Sequence, residues 1–272
     1  MNVILAMNVI LAMRAILATL SIMAGAAWAQ TALTPPQVGF MQDAANSVRP
    51  VYGIAGNFLP GNPVAGGVVS AAYSGSYGLI KTGSAVVVTD RAGSIVASNA
   101  EPDGSALFAF TRTGEPALVF MQAASTLLAW DGAAFNPVPF DPTTLAASAV
   151  VSITAPHPGH AAMIVQRDDG LWDVRVRLAT GEIDSQTAIA GVAPPVLMLA
   201  NGELVYSDVN GIVLRKQDGS ERHISAQLPA NFALQQMGDG WIQLRDLGSG
   251  QQFAIRITQN REQYYQLPEG GQ

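Results

Sequence analysis

The chain contains only three histidines and no cysteine, which limits the chemistry that its side chains can perform. His157 and His160 flank a Pro-Gly pair and could offer two nitrogen ligands to a metal ion. A catalytic zinc site needs three protein ligands, and neither an H-E-x-x-H motif nor a close third ligand accompanies the pair. Pro158-Gly159 is more simply a turn between two strands, and His223 a solvated residue of an outer strand. The histidines therefore predict no metal site.

Aspartates are the next candidates, because hydrolysis of a glycosidic bond needs two carboxyl groups about 5 to 10 Å apart. Most of them precede Gly or stand in polar turns, where Asp is favoured by hydrogen bonds to its own backbone. Trp130, Trp172 and Trp241 lie inside apolar strand patterns, and we interpret them as packing residues rather than sugar-stacking ones. No catalytic pair can be chosen from these residues. The aspartates considered are Asp90, Asp131, Asp168, Asp169, Asp173, Asp208, Asp239 and Asp246.

Other catalytic and binding motifs are absent from the sequence. There is no G-x-S-x-G elbow, no P-loop and no strand–G-x-G-x-x-G–helix unit. Gly75-Ser76 and Gly248-Ser249-Gly250 are typical of turns, and Asp168-Asp169-Gly170 or Asp239-Gly240 offers too few oxygens for a dedicated calcium site. The sequence thus assigns no catalytic, cofactor-binding or metal-binding residue and implies no cofactor.

Composition excludes further classes of protein. The 272 residues are 49% hydrophobic and 12% charged, which is unlike a disordered chain. The absence of Cys excludes disulfide scaffolds, cysteine-based zinc modules and thiol enzymes. A formal net charge of -6 argues against a nucleic-acid partner, because an acidic chain has no surplus cations to replace phosphate counterions.

The N-terminal 29 residues predict a secretory signal peptide. Arg14 precedes an apolar stretch from 15 to 23, and small residues lead to Ala27-Trp28-Ala29, an A-x-A cleavage pattern. We expect cleavage between Ala29 and Gln30 and a periplasmic or extracellular location in a bacterium. No later apolar run reaches 18 residues, so the sequence predicts no membrane span after cleavage.

Two segments flank the cleavage region. The six letters MNVILA at 1–6 recur at 7–12, so residues 1–12 are expected to be a duplicated or spurious start upstream of Met13. Residues 30–48 contain two adjacent prolines and no clear period, and they predict a linker or N-terminal arm with room for a short helix after Pro36. The folded domain is expected over residues 49–272.

From Arg49 onward, short apolar runs alternate with Gly, Asp, Asn and Pro, a pattern typical of many short strands and tight turns. Five hairpin-like segments recur at intervals of 38 to 49 residues. Their turns centre on Gly93, Gly132, Gly181, Gly219 and Asn260. Further strand pairs surround Asp169-Gly170, Asn201-Gly202 and Asp239-Gly240, and two-residue hairpins of this type need positive φ at both positions.

Units of about 40 residues with four antiparallel strands are typical of β-propeller blades. From about residue 49 to 269 the chain resembles the β-propeller superfamily at the level of architecture. It lacks the WD40, kelch and integrin-type signatures, so no family's functional residues carry over. The count implies about five blades. The remaining N-terminal segment could supply a closing strand or half of a sixth blade. A β-sandwich is the alternative fold.

Three functions remain open. The scarcity of His, Cys and clustered acids favours a secreted or periplasmic, non-catalytic scaffold that binds an unknown protein or glycan through its loops. The alternative is a propeller-fold glycan hydrolase or lyase with carboxylates at the central channel. A third possibility is assembly with other chains through an exposed blade edge. The channel distinguishes the first two, because an enzyme needs carboxylates there, whereas Ala, Val and Ser would argue against one.

Overall fold

The computed structural model describes residues 35–258 and 261–268. The expected signal peptide, the first residues of the 30–48 segment and the turn at Asn260 lie outside the described residues. Residues 37–258 and 261–268 belong to one compact unit. In the described part of this unit nearly every element is a β-strand, and no helix is long and apolar enough to cross a membrane.

An N-terminal sheet of three antiparallel strands comes first. It contains β1 (Gln37–Gln42), β2 (Val48–Ile54) and β3 (Asn57–Pro60). The expectation of a linker or short helix over 30–48 is therefore wrong for residues 37–42 and for Val48, which are strand residues. The reason is tertiary: Phe40 and Met41 are buried against the later sheets, which local propensity cannot reveal.

Five four-stranded antiparallel units follow, each adding its strands in chain order. Blade 1 contains β4 (Val68–Tyr73), β5 (Tyr77–Thr82), β6 (Ala85–Asp90) and β7 (Ile95–Ala100). Blade 2 contains β8 (Ala106–Phe110), β9 (Pro116–Met121), β10 (Thr126–Trp130) and β11 (Phe135–Pro137). A 3-10 turn, Pro142–Leu145, precedes blade 3. Blade 3 contains β12 (Ala149–His157), β13 (His160–Arg167), β14 (Gly170–Arg177) and β15 (Ile183–Ile189).

The last two units repeat this plan. Blade 4 contains β16 (Leu197–Met198), β17 (Leu204–Asp208), β18 (Gly211–Arg215) and β19 (Glu221–Ser225). Blade 5 contains β20 (Phe232–Gly238), β21 (Trp241–Asp246), β22 (Gln252–Thr258) and β23 (Arg261–Gln266). The first strand of each blade contacts the first strand of a neighbouring blade, so β4, β8, β12, β16 and β20 are the innermost strands of a ring.

The ring closes where blade 5 meets blade 1. β20 and β4 run parallel and share one paired position, Met237 with Tyr73, near their C-terminal ends. β1 packs beside both strands but runs in the opposite direction. Its start approaches the end of β20, because Gly39 lies against the Met237 carbonyl, while Gln42 at its end donates to the Val68 carbonyl at the start of β4. The N-terminal sheet thus occupies the place of a sixth blade that lacks an innermost strand.

Six apolar clusters lie between consecutive sheets around the ring, which distinguishes a propeller from a β-sandwich with its single core. Because successive strand residues point to opposite faces, each middle strand contributes side chains to two clusters. Leu118 packs towards blade 3 and its neighbour Val119 towards blade 1. Blades that are apolar on both faces explain the high hydrophobic fraction of the sequence. The remaining clusters contain Ile164 and Val213, Leu214 and Ile242, Val51 and Trp241, and Phe40 and Tyr73.

The recurring hairpins are confirmed as the third and fourth strands of the blades, with turns at Gly93, Gly132, Gly181 and Gly219.

The turn geometry differs from expectation at Asp169-Gly170, Asn201-Gly202 and Asp239-Gly240. Only the glycines have positive φ, between 67° and 128°. These turns therefore need one left-handed residue rather than two. At Asn201-Gly202 the turn is longer than two residues, since the Leu199 amide donates to the Glu203 carbonyl. The Asn201 side chain also accepts from the Glu203 amide at 3.0 Å, which explains the polar residue before Gly.

Candidate functional site

A cavity of about 210 Å³ lies at the centre of the ring, and every innermost strand contributes to its wall. Small and aliphatic side chains make up much of the lining, among them Ala71, Ala72, Ala109, Ile153 and Leu234. Short side chains at these positions follow from geometry, because the innermost strands converge on the axis and leave little room. The cavity is the natural candidate for a ligand site in this fold.

Hydroxyl side chains join neighbouring innermost strands across the cavity wall. The Ser70 hydroxyl of β4 accepts from the Ala106 amide of β8 at 2.9 Å. The Ser152 hydroxyl of β12 accepts from the Met198 amide of β16 at 2.8 Å. Apart from the single β20–β4 position, the innermost strands have no ladder between them, so these side chains satisfy backbone groups that would otherwise be buried without partners.

Arg245 is a cationic lining residue that comes from β21, a second strand. Ile242 and Leu244 of that strand face blade 4, whereas Gln243 faces Gln42 of the N-terminal sheet, and Arg245 shares the face of Gln243. It reaches the cavity because the sixth position lacks an innermost strand and β20 meets β4 only at their far ends. The missing strand leaves a gap through which the guanidinium lines the cavity.

The Arg245 guanidinium has no hydrogen bond and no ion pair with any residue that the structure describes. It is partly buried, and burial lowers the pKa of its side chain. By contrast, Arg91 and Arg112 are exposed, while Arg215 pairs with Glu221 at 2.6 Å. Arg245 is therefore a partly desolvated cation whose donors are available to a molecule in the cavity.

Carboxylates are absent from the cavity lining in the part of the chain that the structure describes. Several of the aspartates considered from the sequence hold turns instead, as their positions before Gly or in polar turns indicated. Asp90 accepts from the amides of Ala92 and Ser94, both at 2.8 Å. The Asp131, Asp208 and Asp246 side chains make equivalent bonds to nearby amides in their own turns.

The other aspartates are also engaged elsewhere. Asp239 accepts from the Gly75 amide at 2.9 Å and so links blade 5 to blade 1. Asp173 pairs with Arg175 at 2.6 Å, and Asp169 accepts from the Trp172 indole at 2.9 Å. Asp168 lies in the same turn as Asp169 and outside the cavity. The structure does not bring any two of the eight aspartates together in a central pocket.

The histidines and tryptophans lie where the sequence indicated. His157 and His160 end and begin two paired strands around the Pro-Gly turn, and His160 Nε2 lies 3.3 Å from Asp184. His223 is half exposed on the outer strand β19. Within the described residues no three His, Cys, Asp or Glu side chains form a group that could hold a metal.

Trp241 is buried between blade 5 and the N-terminal sheet, and Trp130 and Trp172 pack against clusters between blades.

Sequence reasoning missed Arg245 and the cavity hydroxyls. No motif marks them, because their relevance comes from meeting strands that are far apart in the chain. The one usable signal is that Ser70 and Ser152 each follow two valines in the first strand of their blades.

Comparison with solved structures identifies the chain as a β-propeller. A chain from the crystal structure of a Nidogen/Laminin complex is similar with a TM-score of 0.50 and 13% identity, covering 84% of this chain and 92% of that one. The Cps50 (Swd1) β-propeller domain of Myceliophteria thermophila aligns with a TM-score of 0.44 at 12% identity, covering 86% and 87%. The WD40 domain of Toxoplasma gondii coronin aligns with a TM-score of 0.38 at 10% identity, covering 83% and 68%.

The structural similarity to the chain from the Nidogen/Laminin complex, at 13% identity, supports the fold and nothing more specific. No family model and no curated protein matches the sequence.

Proposed function

We propose that this protein is a secreted or periplasmic propeller that acts as a non-catalytic binding scaffold. The observation that carries the proposal is the composition of the central cavity. Alanine, aliphatic, serine and glutamine side chains line it, together with the Arg245 guanidinium, and among the described residues no carboxylate does. A rigid ring with an open cavity and exposed turns suits binding, since it presents loops without a general acid or base.

The alternative of a glycan hydrolase or lyase gains no support from this geometry. Hydrolysis at the channel would need two carboxyl groups within about 5 to 10 Å of each other. The aspartates instead accept hydrogen bonds from backbone amides in turns, which occupies the oxygens that catalysis would use.

The end of the ring at which the innermost strands begin is the favoured contact surface. Arg245 lines the cavity near this end, because it pairs with Ala233 at the start of β20. Two exposed apolar residues stand on the second-to-third-strand turns at the same end: Val209 is 99% exposed and Leu247 is 49% exposed. Exposed apolar side chains on adjacent blades are suited to a protein partner.

Capture of envelope components tests the binding function. The protein would be produced from the full chain with a C-terminal tag, immobilised and exposed to bacterial envelope extract and envelope glycans. Val209→Asp with Leu247→Asp should abolish capture of a partner that wild type retains, because charge on the turns disrupts an apolar contact. Ile95→Asp is the matched control, since Ile95 is 70% exposed but lies on the outer strand β7. Release of new reducing ends from a glycan would instead favour the enzyme.

The location is tested separately. Mass analysis of the exported protein should show a mature chain that starts at Gln30. Replacing Ala27 and Ala29 with Asp should block this cleavage, because the site requires small residues. Retention of residues before Gln30 in exported protein would contradict the signal peptide.

A further inference from the structure

The Arg245 guanidinium is the feature of the cavity that the fold itself does not explain. A partly buried cation is unfavourable unless it is paired, and removing a charge from water without a counterion carries a large desolvation penalty. Arg245 makes no hydrogen bond and no ion pair with the described residues. A structural role would be served as well by an uncharged side chain.

The surroundings of Arg245 favour an anion of a single charge. The described lining residues include this one arginine and no Asp, Glu, Lys or His. A doubly charged phosphate would leave a net negative charge in a partly desolvated space. The planar guanidinium fork matches both oxygens of a carboxylate, which gives two parallel charge-assisted hydrogen bonds.

Like the Arg245 guanidinium, two hydroxyl groups of the cavity wall can donate hydrogen bonds to a ligand. The Ser70 and Ser152 hydroxyls each accept a backbone amide, so each keeps its hydrogen for an acceptor in the cavity. A ligand that brings oxygen acceptors would satisfy these groups, whereas a cationic ligand would find no carboxylate among the described lining residues.

The size and the wall of the cavity restrict the remainder of the ligand. A volume of about 210 Å³ is below the range of about 300 to 1,000 Å³ typical of drug-sized ligands. The wall next to the polar groups is formed by Ala71, Ala72 and Ala109 together with aliphatic side chains. A short apolar body fits such a wall, because its burial costs no hydrogen bonds.

We propose that the central cavity binds a small monocarboxylate, with the Arg245 guanidinium holding the carboxylate and the alanine-rich wall holding a short apolar body. This inference rests on the proposed binding function and specifies the ligand class of the same cavity. It is separable from partner capture, which depends on the exposed turns.

Titration calorimetry on the exported protein tests the proposal with butyrate and benzoate as probes. Butyramide and benzamide have the same bodies without the charge, and inorganic phosphate tests a general anion site. We expect the carboxylates to bind and to raise the melting temperature by mass action, while the amides and phosphate do neither.

Variants at Arg245 provide the second arm. Arg245→Gln should weaken carboxylate binding about tenfold or more, since a charge-assisted pair is lost. The carboxylate affinity of Arg245→Lys should lie between those of wild type and Arg245→Gln, because an ammonium cannot bind both oxygens in one plane. Arg112→Gln is the matched control, being an exposed arginine outside the cavity, and should bind as wild type does. Unchanged circular dichroism would show that the variants fold.

A measurement on wild type avoids dependence on variants. An arginine-selective dicarbonyl reagent should modify Arg112 at the same rate with and without butyrate, whereas butyrate should slow modification of Arg245. The proposal is overturned if neither carboxylate binds at a concentration of about 10 mM. It is also overturned if the amides or phosphate bind as well as the carboxylates, or if Arg245→Gln binds the carboxylates as wild type does. If carboxylates fail but partner capture persists, only this inference fails and the binding scaffold stands.

Discussion

Gln243 holds the N-terminal sheet to blade 5, and its removal is the most informative perturbation of the fold. The side chain is fully buried and makes four hydrogen bonds. Its Oε1 accepts from the Gln42 amide at 3.1 Å and from Gln235 at 2.6 Å. Its Nε2 donates to the Gln42 carbonyl at 3.0 Å and to Gln252 at 2.6 Å. The amide thus acts as a substitute peptide group for the free edge of β1.

Gln243→Met keeps the length of the side chain and removes all four bonds. Gln42 is buried, so its backbone N–H and C=O would lose their partners without gaining water. Each buried group left unsatisfied costs about 1 to 3 kcal/mol, which gives about 2 to 6 kcal/mol for the two. That is a large fraction of the roughly 5 to 15 kcal/mol that stabilises a typical domain.

Urea denaturation at pH 7 measures this loss as a difference in the free energy of unfolding. Gln251→Met is the matched control, because Gln251 is exposed and its substitution should change the stability by less than about 0.5 kcal/mol. Hydrogen exchange of the Gln42 amide should accelerate in Gln243→Met, since this amide loses its acceptor.

Gln243→Glu tests the role of Gln243 through the pH dependence of stability. A carboxylate would face the Gln42 carbonyl and the Gln252 Oε1 without a donor, and burial would raise its pKa above the unfolded value of about 4.3. A raised folded pKa gives stability that is present below the unfolded pKa and is lost as pH rises through the folded one. The deficit of this variant relative to wild type should therefore grow from pH 4 to pH 7. Equal stability of Gln243→Met and Gln251→Met, or a pH-independent deficit in Gln243→Glu, would refute the role of Gln243.

Three further perturbations test the closure and the titrating groups. Gly39→Ala should destabilise the ring by about 3 kcal/mol in urea denaturation, because its Cβ would lie 1.8 Å from the Met237 carbonyl oxygen. Gly66→Ala is the control and should not destabilise it, because the nearest atom to its Cβ would lie at 3.9 Å. Equal effects of the two substitutions would argue against close packing between β1 and β20. Burial, and to a smaller extent a hydrogen bond to a carboxylate, raises the pKa of Tyr206 to about 12. Wild type should therefore lose stability in thermal melts as the pH rises from 10 to 12, and Tyr206→Phe should lose less over the same range. Hydrogen bonds from the backbone amides of its turn lower the pKa of Asp131 from its ordinary value of 3.8. Its contribution to stability is therefore present above that pH and is lost on acidification below it. In acid denaturation Asp131→Asn should show less of this loss, and an unchanged acid profile would contradict the turn bonds.

Among the described residues no carboxylate lines the central cavity, and this bears on how aspartates in a propeller are interpreted. Aspartates are frequent in this chain, and their number alone could suggest hydrolysis. The structure shows that Asp90 and Asp131 accept from amides in their own turns, so these residues serve the fold. Arg245, which has no ion pair among the described residues, is the basis of the ligand that we propose.

Local chemistry accounts for what could be predicted. Alternation in segments such as Asp173 to Leu178 and glycines such as Gly93 and Gly219 identify strands and hairpins, because side-chain period and positive φ are properties of a few adjacent residues. The repeat of about 40 residues then indicates a propeller. The same reasoning placed His157 and His160 at a turn, and the structure confirms it.

The number and closure of the blades needed long-range information. The sequence left five and six blades open, because residues 37–42 look like a linker until Phe40 and Met41 are seen between blades 5 and 1. The bond between Gln42 and Gln243 spans 201 positions, and no local pattern encodes such a pairing.

The sequence by itself determined the fold class, the hairpin turns and the two-sided apolar strands, since these depend on contacts between near neighbours in the chain. Only the tertiary structure decided that three strands fill a sixth position without an innermost strand, and that this gap admits Arg245 to the central cavity. The physical reason is that a cavity in a closed ring is made by strands from every blade. Its polarity is therefore a property of the closed ring and of no single segment.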